Sequence, residues 1–100
     1  MRWLTRIRKR LKYLYIQWEW DCFQIFGLNY LEVREEWFRA RLNTEEAKHL
    51  KKRMDILLNL QKSAARALGM SEHNVGLPIS LGPNGKLLPV PEWIKAKHDL

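Results

Sequence analysis

Hydrophobic and polar positions in the first eighteen residues recur with a helical period. At about 100° per residue, Trp3, Leu4, Ile7, Leu11, Leu14, Tyr15 and Trp18 fall within an arc of about 120°, the width of a core-facing helical stripe. From Tyr13 onward a second apolar group, Ile16, Trp20 and Phe23, joins Tyr13 on the opposite side, while Cys22, Ile25 and Phe26 extend the first face. Apolarity on two sides predicts burial on two sides. Gly27 can end this helix, and Asn29 with Glu32 three positions later resembles a capping pair that starts another. One long helix running through Gly27 is the alternative, because a glycine costs only about 1 kcal/mol inside a helix.

The next segment, 30–42, carries Leu31, Val33, Trp37, Phe38 and Leu42 as apolar anchors and spaces Glu35 four residues before Arg39 for a surface ion pair. Asn43 with Glu46 three positions later, or alternatively Thr44, then caps a third helix, whose early acids Glu45 and Glu46 suit the positive end of the helix dipole. In it Ala47, Leu50, Met54, Leu57, Leu58, Ala64, Ala65 and Leu68 share one face, Lys48, Lys52, Lys62 and Arg66 occupy the other, and Gly69 closes it.

Beyond Gly69 the pattern stops. Four prolines and three glycines fall between Gly76 and Pro91, which rules out a continuing helix. Pro83, Asn84 and Gly85 read as a turn between two short extended segments, a hairpin weakened by Pro78 and Pro89, which lack ladder donors. Pro91 is well placed to open a final helical turn in which Trp93 and Ile94 anchor the tail. The expected fold is mostly α: a three-helix domain, residues 1–68, and a Pro/Gly-rich tail, residues 69–100, packed on the helices.

Charge changes this picture at one place. The chain carries a formal net charge of +7, and Arg2, Arg6, Arg8, Lys9, Arg10 and Lys12 put six cations into its first twelve residues with no acid among them. The rest is nearly neutral. Gln17, Glu19, Asp21 and Gln24 interrupt the most apolar stretch, so no segment reaches the roughly 20 apolar residues of a membrane span, and a secretory signal fits poorly for the same reason. The Arg-rich, acid-poor start is closer to an organelle transit segment, although Thr5 is its sole hydroxyl. The single cysteine, Cys22, excludes an internal disulfide and fits a buried thiol in a reducing compartment, so a cytoplasmic location is expected, with an organelle matrix as the alternative.

Candidate catalytic chemistry is thin. His49, His73 and His98 lie about 25 residues apart with no partner at metal-ligand spacing, and Cys22 has no local nucleophile signature. Glu35–Glu36 and Glu45–Glu46 are consecutive residues that diverge on a helix. Gly82 to Lys86 lacks the spacing, the hydroxyl residue and the following helix of a phosphate loop. No enzyme, metal, cofactor or small-molecule substrate is expected.

Interaction chemistry remains. The leading expectation is an adaptor or accessory subunit that binds a protein partner, or a second copy of itself, through Trp3, Leu4, Ile7, Leu11, Leu14, Tyr15 and Trp18. One alternative is nucleic-acid binding, in which the six N-terminal cations and the Lys48, Lys52, Lys62, Arg66 stripe contact phosphates. The other is an anionic membrane surface, with the N-terminal helix lying in the interface.

Overall fold

The computed structural model describes residues 2–100. It is mostly α, as expected, but the helices divide the chain differently. Helix α1 runs without interruption over Arg2–Arg39, α2 spans Glu45–Leu68, and α3 is the short Glu92–Lys97. The expected break at Gly27 is absent. Gly27 sits buried within α1, and a Cβ built on it would lie 2.5 Å from Gln61 Nε2 and 2.9 Å from the Ile79 side chain. The glycine serves close packing instead of termination.

Residues 40–44 reverse the chain, with Asn43 in the left-handed region at φ 63°, and so short a link makes α1 and α2 antiparallel neighbours. Thr44 caps α2 by accepting from Ala47 N at 3.1 Å, and Gly69, at φ 73°, ends it. Along α2 the inward positions Ala47, Leu50, Met54, Leu57, Gln61, Ala64 and Leu68 alternate by three and four residues, while Ile16, Phe23, Tyr30 and Trp37 recur every seventh residue on α1. This is the spacing of two helices that keep one seam together along their length.

The seam holds two apolar clusters. Near the interhelix turn, Val33, Leu50 and Met54 pack with Tyr30, Trp37 and Leu57. At the other end Ile16, Trp20, Phe23, Ala64, Ala65 and Leu68 pack with Val90 and Ile94 from the tail. Trp93, expected to share the anchoring with Ile94, is instead half exposed.

Two buried glutamines hold the tail. Gln61 donates through Nε2 to Phe23 O at 3.2 Å and accepts from Gly76 N at 2.9 Å. Gln24 accepts from Leu88 N at 2.9 Å and donates to Leu88 O at 3.1 Å, and Trp20 Nε1 donates to that same oxygen at 2.9 Å. Leu88 therefore spends both backbone groups on side chains, and no strand forms among the described residues. The expected hairpin is replaced by a single turn over Pro83–Gly85, in which Asn84 and Gly85 take positive φ and Gly82 N bonds Lys86 O at 2.8 Å. Helix α3 then covers the end of α2: Lys97 Nζ donates to Gly69 O, and His98 Nε2 donates to Leu68 O at 2.7 Å, satisfying carbonyls that a helix end leaves free.

The N-terminal arm as candidate docking site

At about 1.5 Å per residue the 38 residues of α1 extend about 57 Å, whereas the 24 residues of α2 reach only about 36 Å. The chain measures 62 Å along its longest axis and 26 Å across. The excess of α1 projects beyond the bundle as an arm. Residues 2–15 are all exposed, and among the described residues the first buried one is Ile16. The arm stays helical because it extends a helix already nucleated in the bundle, where each added residue gains a hydrogen bond, and because Leu, Arg and Lys are good helix formers.

The arm corrects the expectation of two-sided burial. The face bearing Ile16, Trp20, Phe23 and Gly27 is covered by α2 and the tail, whereas of the first face only the later Cys22 and Phe26 are partly buried. The first stripe is not: Trp3, Leu4, Ile7, Leu11, Leu14, Tyr15 and Trp18 are all exposed, Leu11 at 61% and Trp18 at 66%. It neither meets α2 nor folds back on its own chain. By helical geometry the six cations occupy the remaining circumference. Arg8 and Arg10 border the stripe and Arg2, Arg6, Lys9 and Lys12 lie behind it. None of the six forms an ion pair among the described residues.

The basic residues of α2 are arranged otherwise. Lys48 pairs with Glu45 at 3.4 Å and Arg66 with Glu72 at 2.9 Å, so half of that stripe is already neutralised. Lys48 lies by the interhelix turn and Arg66 near the root of the arm, about 27 Å apart along the helix. The fold does not gather Lys48, Lys52, Lys62 and Arg66 with the arm into one compact basic patch.

Comparison with protein-family models, with curated proteins and with solved structures finds no match to this chain.

Among the described residues no three His, Cys, Asp or Glu side chains come together as a metal site, and no helix is long and apolar enough to cross a membrane. A hollow of about 540 Å³ beside the interhelix turn is lined by Trp37, Leu42, His49, Lys51 and Lys52, with Lys51 held over the Trp37 ring and paired to Asp55. Cys22 is partly buried against the cluster that contains Trp20 and Phe23, less enclosed than its sequence neighbours suggest. Burial, and then the nearby Glu19 and Asp21 carboxylates, push its thiol above its ordinary pKa. Thiolate is the reactive form, so alkylation by iodoacetamide at about pH 8 is expected to run slower in the native protein than in the urea-unfolded chain, the two rates converging as pH rises. Equal rates at the lower pH would show an unshifted thiol.

Sequence reasoning did not single out Gln24 and Gln61, which organise the tail. The available signal was register: Gln61 is a polar residue at a position where the spacing of Leu57, Ala64 and Leu68 calls for an apolar one.

Proposed function

We propose that this protein is a non-enzymatic docking module, an adaptor or accessory subunit whose helical hairpin presents residues 2–18 as a stiff amphipathic arm. The observation that carries the reading is the exposed stripe. A chain that has already built a core elsewhere leaves seven large apolar side chains in water along one line, and contiguous patches of this kind mark contact surfaces. Fully burying such side chains is worth about 2 kcal/mol each before the costs of association, ample for stable docking.

The charge narrows the partner. Two arms facing each other would crowd cation against cation with no acid before Glu19 on either copy, so self-pairing through the arm alone is unfavourable. Nucleic acid would neutralise the arginines and leave Leu4, Ile7 and Leu11 in water. The best complement is a surface that is both apolar and anionic. The lone thiol suits a reducing compartment, where we place the protein.

The reading is tested by the L11D/W18D double variant beside a charge-reversed one with Arg6, Arg8, Lys9 and Arg10 each changed to Glu. In nuclease-treated extract of the native cell, wild type is expected to fractionate in a large or sedimenting form and L11D/W18D as a monomer. Circular dichroism should be unchanged, since exposed substitutions of this kind usually move stability by less than about 0.5 kcal/mol. If both variants fractionate like wild type, the arm is not the docking element. Loss of the large form on nuclease treatment alone would instead support the phosphate-binding alternative.

A further inference from the structure

We infer that the surface the arm docks on is an anionic lipid bilayer, with α1 lying in the plane of the headgroups. This rests on the docking reading above and names its partner. The first argument is geometric. Where the arm meets the bundle the exposed apolar line continues with one interruption. Trp18 and Ile25, 66% and 44% exposed, lie on the outer flank of the hairpin, on the side of α1 away from α2, and between them the partly buried Asp21, in register with Ile7 and Leu14, is the one acid on that face. From Trp3 to Ile25 it is about 33 Å long and straight. A protein groove that wraps a helix could enclose the free arm but would collide with the bundle from Ile16 onward, where α2 and the tail back the helix. A planar partner meets the whole line at once.

The second argument is chemical. An interfacial helix combines an apolar face holding tryptophan and leucine with a strongly cationic remainder, and its net hydrophobicity is low. Here Arg8 and Arg10 stand at the two borders of the stripe, where lipid phosphates would lie, and no helix among the described residues is long and apolar enough to cross a membrane. Trp3 and Trp18 are rings with an apolar body and a polar tip, suited to the boundary between acyl chain and headgroup. Charge is graded along the axis. The six cations and the positive end of the helix dipole are at the tip, while Glu19 and Asp21 appear only where the bundle begins. The tip is therefore the most strongly attracted part, and the hairpin body is held beside the membrane with α2 facing away from it.

Full-length protein is mixed with phosphatidylcholine vesicles, with and without phosphatidylglycerol, and binding is read by flotation and by quenching of tryptophan fluorescence with brominated acyl chains. Binding to the anionic vesicles only is expected, weakening with salt, with part of the quenching lost in Trp3→Leu. Reversing Arg6, Arg8, Lys9 and Arg10 should weaken partitioning at least about a hundredfold, and L11D/W18D should abolish quenching while circular dichroism stays that of wild type. Equal binding to both vesicle types, or binding unaffected by L11D/W18D, would overturn the inference. So would the absence of binding to anionic vesicles. In that case, if L11D/W18D still disperses the large form in extract, the docking reading stands with a protein partner; if it does not, both fall.

Discussion

Replacing Gln61 with Leu is expected to destabilise the protein by about 2 kcal/mol, a fall in Tm of about 10 °C. Judged from α1 and α2 alone the same change should help, since position 61 lies in an apolar register and Gln61 is fully buried. The tail reverses the sign. Gln61 Oε1 is the acceptor for Gly76 N–H, and its Nε2 reaches Phe23 O; leucine would leave the partly buried Gly76 donor without its partner and cut the tie between the tail and α2. Thermal unfolding gives the magnitude, and hydrogen exchange locates it: protection should drop at Gly76 and along residues 70–91 while the middle of α2 keeps its own. A rise in Tm would mean that the tail is not stapled by this side chain.

Substituting Gly27 is expected to have the second large effect, again against its local tendency. Alanine in place of glycine in a helix interior normally gains about 1 kcal/mol. Here the added methyl would come 2.5 Å from Gln61 Nε2 and within 3.0 Å of two Ile79 side-chain atoms. The amide cannot swing away, because it is fully buried and bonded to Phe23 O. Gly27→Ala should therefore destabilise by about 1–3 kcal/mol, and Gly27→Leu by more. In a Gln61→Ala background the penalty of Gly27→Ala should shrink, a coupling readable by urea denaturation of the four proteins. Stabilisation by Gly27→Ala would show that the two helices stand further apart at this level.

These two residues show where reading along the chain stops working. The limits of α2 were legible because both signals are local: Thr44 bonds an amide three residues away, and Gly69 needs only its own left-handed backbone. The Glu35–Arg39 pair was legible for the same reason and forms at 3.4 Å. Gly27 carries an equally local signal, an adjacent capping pair at Asn29 and Glu32, but helix continuation competes with it. Packing of Phe23, Gly27 and Val33 along one seam outweighs about 1 kcal/mol of propensity. The tail misled differently. A turn at Pro83–Gly85 was correctly placed, yet a hairpin also requires free backbone groups on both sides, and Gln24 takes those of Leu88 from 64 residues away.

By itself the sequence determined the mostly α class, the extent and C-terminal glycine cap of α2, and a cationic amphipathic N-terminus, because each follows from periodicity, charge or cap chemistry within a few residues. The N-cap it placed first at Asn43 falls one residue later, at Thr44. Whether that N-terminal stripe lies inside or outside the molecule was decided only by the tertiary structure. The stripe has the composition of a core face, and nothing local distinguishes the two fates. The turn at residues 40–44 fixes where α2 starts against α1, and 24 residues cannot run back along 38. Helix α2 ends beside Ile16 and Trp20, so the residues before them are left without a neighbour, their apolar line open to a partner.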